Sequence, residues 1–351
     1  MQAPVTHIVG FANIIRERLL PVKGDTLVRL NQKVVSSDIV AEAHVARDHV
    51  LLDVSRKLRV HPKTADRLIT CKVDERVAAG AVIAARKGLF SPAVIVPRDG
   101  RVVAVGGGQV LLEVGETKIE LRAGIPGTVI EIIPDRGVVI QTAGALIQGV
   151  WGNGRIDAGQ LINLAESPEG ALTADRLDIS HRGSVILGGI VKDAATLKAA
   201  AELPVRGLIL SSIYPSLIPQ AREMRFPIVA IDGFGPMPMN SLAYKLLSTN
   251  VKRDVTVNAE AYNRYQGGRP EVIIPLPVSS EAPELHEVET FAPGLQVRMR
   301  RMPAMGMLGS IVALKPGSTL LPSGLRAPAA EVKLENGETV IAPLVNLEVV
   351  G

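Results

Sequence analysis

The chain reads as a multidomain α+β protein: a β-rich first part, a small parallel α/β unit and a small terminal β-barrel. Three observations predict this. Two related hairpins follow one another between Pro97 and Ala143, each opened by a glycine (Gly100, Gly127) and turned by a second (Gly108, Gly137). From about Asp178 the hydrophobic period changes to buried strands alternating with amphipathic helices. Near the C-terminus the pattern returns to short β-rich runs around an Asn336-Gly337 turn. The expected limits are 1–165, 166–278, a linker at 279–292, and 293–351.

Length and composition agree with several cores. The 351 residues exceed the ~250–300 at which one core stops growing. Hydrophobic residues make up 47 % and charged residues 21 %, which excludes a disordered chain. Aromatics are only 3 %, so the cores are aliphatic and base stacking has few residues to use. The net charge of +4 permits an anionic partner without demanding one. A single cysteine, Cys71 in an apolar run, excludes a disulfide framework or cysteine cluster within one chain. The N-terminal stretch lacks a signal-peptide pattern and no run spans a bilayer, so a cytoplasmic location and no membrane partner are expected.

In the β-rich part, Val102, Val103 and Val105 alternate after Gly100, as Val129, Ile130 and Ile132 do after Gly127. Upstream, LVRLNQKVVSSDIVAEA can be laid over ITCKVDERVAAGAVIAA. Leu30 falls on Val73, Lys33 on Arg76, Val34 on Val77, Val40 on Ile83 and Ala41 on Ala84. Each copy predicts a strand, a tight polar turn and a second strand whose alanine approaches a neighbour closely. Between them, HVLLDVSRKLRVHPKTADRLI reads as helical in its second part, with Thr64-Ala65-Asp66 as cap or first turn.

Val73-Asp74-Glu75-Arg76-Val77-Ala78-Ala79-Gly80 resembles the repeated element of barrel-sandwich hybrids, the fold of lipoyl and biotinyl carriers, membrane-fusion adaptors and the C subunit of Rnf electron-transport complexes. The resemblance implies a sandwich over roughly residues 15–165 and no single function. Carrier function would require a lysine at a hairpin tip, for which Lys118 is the candidate. The coiled-coil hairpins of adaptors and the cysteine clusters of Rnf subunits are missing from the sequence.

A glycine-rich link, GVWGNGRIDAGQL, follows. Gly152-Asn153-Gly154 could form an anion-binding nest or a conformationally demanding loop; it is not a dinucleotide fingerprint. Then come three strands, SVILGGI, VRGLILSSI and PIVAIDGFG, and helices starting at Asp193 and at Asn240 or Ser241. A helical segment broken or kinked by Pro219 separates the second and third strands, and DVTVNA reads as a fourth strand. Parallel sheets bind ligands beyond their strand ends. That places Gly188, Gly189, Ser211, Ser212 with Tyr214, Asp232, Gly233, Phe234 and Gly235 in a candidate crevice, with Asp232 a possible base or ribose acceptor. Cap and turn chemistry explains the same residues. His181 precedes the first strand without an evident partner. His44 and His49 stand five apart, which is no metal signature. No complete catalytic constellation can be read. The IDGFGPMPMN stretch and the glycine-rich link resemble a bacterial family combining these three modules, which implies no particular activity.

In the last module, LQVRMRRMPAMGMLGSIVAL resembles a KOW motif, the strand-turn-strand core of small SH3-like barrels in NusG-type factors and some ribosomal proteins. Val297 and Met299 alternate, Pro303 lies in the turn, and Gly306, Gly309, Ile311 and Val312 follow. The resemblance implies contact with RNA, ribosome or RNA polymerase, with Arg298, Arg300, Arg301 and Gly306 as contact residues. Ala304 and Met302 stand where the family often has an aromatic and a glycine, which limits stacking. Met299, Met302, Met305 and Met307 could instead make an adaptable protein-binding surface. A binding or scaffold role without cofactor is expected. The alternatives are a protein or enzyme that binds a phosphorylated ligand or nucleotide in the α/β crevice, and a prosthetic-group carrier.

Overall fold

The two β-rich copies fold alike and interlock. The computed structural model describes residues 1–86, 92–263, 268–277, 282–301 and 303–351. At matching turn positions Asn31 (φ 64°) and Asp74 (φ 68°) are both left-handed, a conformation that Asn and Asp tolerate better than most side chains. The next residue bonds back in each copy: Gln32 Oε1 accepts from Arg29 N at 2.9 Å, and Glu75 Oε2 from Lys72 N at 2.8 Å. Val34 and Val77, Val40 and Ile83, Ala41 and Ala84 are all buried.

Each copy is closed by one of the tandem hairpins, but in crossed order. Lys33–Val34 pairs with the Gly127 hairpin, and Arg76–Val77 with the Gly100 hairpin. The second unit is therefore nested inside the first. A long antiparallel ladder between Ile39–Asp53 and Gln109–Arg122 carries the chain out to it and back. Both opening glycines are required by close approach. A Cβ on Gly100 would sit 2.3 Å from the Glu113 carbonyl oxygen, and one on Gly127 2.3 Å from that of Gln141.

The inner unit also holds two short helices, α1 (Val54–Leu58) and α2 (Pro62–Leu68). Helix begins earlier than the expected cap at Thr64, because Asp53 caps α1 and His61 caps α2 with Pro62 in its first turn. Val54, Leu58 and Ala65 join Ile83, Val94, Val102, Val110 and Leu112 in one core. Cys71 belongs to that core.

The strands Ser184–Val191, Gly207–Ile213 and Ile228–Phe234 are parallel neighbours, as the alternating pattern predicts. Helices α3 (Ala194–Glu202), α4 (Ile218–Glu223) and α5 (Ser241–Thr249) follow them in turn. Asp193 and Asn240 are the caps of α3 and α5. The helical segment divides just before Pro219, into a 3-10 turn (Pro215–Leu217) and α4; Pro219 itself lies in the first turn of α4, where no intrahelical N–H is lost.

Two expectations need correction here. Asp254–Asn258 is a strand, but it runs antiparallel beside Ile156–Asn163 rather than extending the parallel set. The expected boundary at 165 also falls inside a continuous sheet. Ile156–Asn163 pairs with Ser184–Val191, and the sheet continues through Asp254–Asn258 and Glu271–Pro275 into Gly137–Gln148 and its hairpin. The cause lies in Gly137–Gln148, which is buried along almost its whole length and needs cover on both faces.

The terminal sheet likewise recruits distant chain. Its order is Val288–Thr290, Gln2–Thr6, Leu347–Val350, Gln296–Met299, Leu308–Leu314, Ala329–Leu334, Thr339–Pro343. Gln2–Thr6 lies parallel to Leu347–Val350, placing Ala3 and Val5 in the same core as Val297, Ile311 and Val349. The proposed linker at 279–292 is thus part strand; its residues 279–281 lie outside the described residues, as does Met302. Asn336-Gly337 forms the expected turn, with Gly337 left-handed at φ 90°. The chain is β-rich α+β, built of several sheets with few helices. No helix among the described residues is long and apolar enough to cross a membrane.

Candidate functional site

The residues singled out at the parallel strand ends and on the terminal strand belong to one buried junction. Asp232 lies near the end of the strand Ile228–Phe234 with a side chain that solvent does not reach, and Arg298 is only 2 % exposed. Arg298 Nη1 donates to Asp232 Oδ1 at 2.5 Å. Asn240 caps α5 through its own side-chain oxygen and also donates to both Asp232 oxygens, from Nδ2 at 2.9 Å and from its backbone N–H at 3.0 Å.

On its far side Arg298 meets Glu348, with Nε donating at 2.8 Å and Nη2 at ion-pair distance, 2.6 Å. Glu348 also accepts from Thr6 Oγ1 at 2.7 Å and Arg300 Nη1 at 3.1 Å. Arg269 donates to Thr6 at 2.9 Å and lies over the Tyr262 ring, 5.2 Å from its centroid. Burial drives the Asp232 carboxyl upward from its ordinary value, with Arg298 and Asn240 opposing. Burial pushes the Glu348 carboxyl in the same direction, but Arg298, Arg300 and Thr6 outweigh it and hold Glu348 below the usual carboxylate range.

Two earlier assignments change. Asp232 is buried and accepts from Arg298 and Asn240 of its own chain, so it is not placed as a base facing an open crevice. Arg298 is spent inside the protein and presents nothing to a phosphate. Of the contact residues expected on this strand and turn, Arg300 and Arg301 are exposed, and Gly306 is half-buried with φ 89°.

Elsewhere around the expected crevice the backbone is closely packed at Gly188 and Gly189. Gly189 is left-handed at φ 69°, and a Cβ there would meet the Gly170 carbonyl oxygen at 2.1 Å. At Gly188 one would meet Leu172 at 2.8 Å. Ser212 Oγ sits 2.7 Å from Gly235 O and 2.9 Å from Met237 O, tying the 233–237 loop across the strand ends. Tyr214 packs on the helix-side core, and only Phe234 stands well exposed. Ser211 Oγ is buried with no protein partner.

Other candidates resolve into structural roles. Asn153 binds three backbone groups, Ala221 O, Phe226 O and Ile228 N, so the Gly-Asn-Gly loop anchors a strand rather than nesting an anion. His181 completes a capping box with Asp178. Lys118 lies mid-strand in the long ladder, opposite His44, and pairs with Glu42 at 2.7 Å. It is not at a hairpin tip, which removes the geometry a carrier lysine needs. No cluster of potential metal ligands occurs among the described residues.

A cleft of about 810 Å³ escaped the sequence reading. Its walls carry Arg16 paired with Glu271 at 2.8 Å, and Arg18 paired in bidentate fashion with Glu260. Arg16 and Arg18 alternate on one strand, a signal that becomes meaningful only once Glu260 and Glu271 are folded opposite. His7 lies buried nearby, and neither ring nitrogen has a protein hydrogen-bond partner. No protein-family model matches the chain, and no curated protein is significantly similar to it.

Proposed function

We propose that the chain is a binding or scaffold protein that presents its terminal β-module, of KOW and SH3-like type, to RNA or to the ribosome or RNA polymerase. One observation carries this reading. Arg298 is clamped between Asp232 of the parallel sheet and Glu348, so the module is held in a fixed orientation with the adjoining turn facing outward. Arg300, Arg301, Pro303 and Met305 are exposed on that turn. The strand-turn-strand pattern of Gln296–Met299 and Leu308–Leu314, with left-handed Gly306 between them, supports the KOW resemblance. The interlocked β-rich units support the barrel-sandwich resemblance.

The test is co-sedimentation with ribosomes and with RNA polymerase across a salt series. Association that weakens with salt and is reduced by Arg300→Ala with Arg301→Ala is expected. No association even at low salt overturns the reading.

A second reading places a phosphorylated ligand or nucleotide at the parallel strand ends. It is favoured by the hydroxyl of Ser211, which is buried with no hydrogen-bond partner within the protein. Its test is a thermal-shift screen of such ligands. A flat screen disposes of it.

A further inference from the structure

The nested unit carries a charge that the whole-chain balance conceals. Residues 54–110 hold eleven of the 39 Lys and Arg but only four of the 35 Asp and Glu. That is net +7 in a chain of net +4, so everything else is net −3.

The excess is most concentrated on α1 and α2. Arg56, Lys57, Arg59, Lys63 and Arg67 are all exposed, and among the described residues none of them forms a salt bridge; only Arg56 feels a nearby acid, Asp53, at longer range. The two acids beside these helices, Asp53 and Asp66, already accept bonds from backbone or hydroxyl donors. Asp53 Oδ1 accepts from Arg56 N at 2.9 Å and Ser55 Oγ at 2.8 Å, and Asp66 Oδ1 accepts from Gly108 N at 2.7 Å. Lys63 and Arg67 stand one helical turn apart, on one face.

The scaffold beneath is rigid. Arg59 is left-handed at φ 53° and closes α1, Pro62 opens α2, and Ser55 N donates to Gly108 O at 2.9 Å. Gly108 must be glycine: at φ +76° a Cβ there would lie 2.8 Å from Ser55 Cβ. The first hairpin turn therefore pins the cationic pair of helices in place.

We propose that α1 and α2 form a nucleic-acid-binding face that takes the phosphate backbone without reading sequence. Charge complementarity selects a polyanion, and three of the five cations are arginines, whose planar fork suits phosphate. A lipid surface fits less well. Val54, Leu58, Ala65 and Leu68 all pack on the unit's own core, leaving these helices no apolar side chain to insert. This face is separate from the terminal turn and does not rest on the reading given for it.

The test is fluorescence polarisation of the full-length protein with a labelled single-stranded RNA of mixed sequence, between about 50 and 200 mM salt. The triple variant Arg56→Gln, Lys63→Gln, Arg67→Gln is expected to bind at least about tenfold more weakly at the low-salt end, with a salt slope shallower by about 2. Its melting temperature should be unchanged, since all three side chains are exposed. A control triple variant of exposed cations on the α/β unit, Lys192→Gln, Lys198→Gln, Arg222→Gln, should bind like the parent. So should Arg300→Ala with Arg301→Ala if the helices make the contact. No RNA binding at low salt, or an undiminished slope in the helix variant, overturns the proposal. Tighter binding to phosphatidylserine-containing vesicles than to RNA also overturns it, in favour of a membrane surface.

Discussion

Arg298 Nη1 donates to Asp232 Oδ1 at 2.5 Å, joining two residues 66 positions apart that come from different modules. The pair is buried from solvent, and each partner holds further bonds within the chain. It is one point at which the terminal sheet is fixed to the parallel sheet, with Ser241 and Glu335 a second and Leu308 and Val350 in the shared core.

Breaking this pair from one side leaves a buried charge alone. Arg298→Ala is expected to destabilise by about 3–5 kcal/mol, whereas Arg301→Ala should change stability by no more than about 0.5 kcal/mol. The double variant Arg298→Met with Asp232→Leu should cost much less than the sum of its single changes. A double-mutant cycle from denaturant unfolding measures this, and simple additivity would contradict the pairing.

Acid should remove the contribution of Glu348 to the same junction, whereas the raised Asp232 carboxyl acts in the opposite sense. Glu348 titrates below its ordinary value of 4.5 in the folded protein. Its contribution is therefore fully present above that pH and is lost as pH falls through the depressed folded value. Glu260, held down by Arg18 against the opposing effect of burial, acts in the same direction. Unfolding midpoints should drop more steeply below pH 4.5 in the parent than in Glu348→Gln. Equal slopes would show that Glu348 plays no part.

His7 offers a converse case. Burial lowers its pKa from 6.5, with Arg16 and Arg269 adding to the effect and Glu287 and Glu271 opposing it. Folding favours the neutral ring, so stability is retained above pH 6.5 and declines as pH falls toward the folded value. Because neither nitrogen is paired within the protein, His7→Leu should be neutral or stabilising at neutral pH. It should also flatten the pH dependence just below 6.5. Thermal melts over that window decide it, and a strongly destabilised variant would reveal an essential polar contact.

The hairpin glycines can be tested without reference to function. Gly127→Ala forces a Cβ against a backbone carbonyl at 2.3 Å and should cost about 1–3 kcal/mol. At Gly107 a Cβ meets nothing within 4 Å, so Gly107→Ala costs only the left-handed conformation, about 1 kcal/mol. Denaturant unfolding of both variants checks the order.

Lys118 should remain unmodified. Its place in the middle of a ladder, paired with Glu42 and Glu120, denies a ligase the exposed hairpin tip. Intact mass after co-expression with lipoyl and biotinyl ligases should equal the unmodified mass.

Local features were written into the sequence by itself. The hairpin glycines, the repeated strand-turn-strand pattern, the helix caps at Asp193 and Asn240 and the three parallel strands all depend on neighbours close in the chain. Their physics is turn conformation, capping and periodicity, which short windows contain. What only the tertiary structure decided depends on distant partners. The sequence could not show that Gln2–Thr6 would complete the terminal sheet, because a strand's period does not name its neighbour. Nor could it show that Gly137–Gln148 would bridge two expected domains. Arg298 looked like a free cation and Asp232 like a free carboxylate for the same reason. Charge is visible in a residue's identity, but burial and pairing exist only once the chain brings Asp232, Arg298 and Glu348 together.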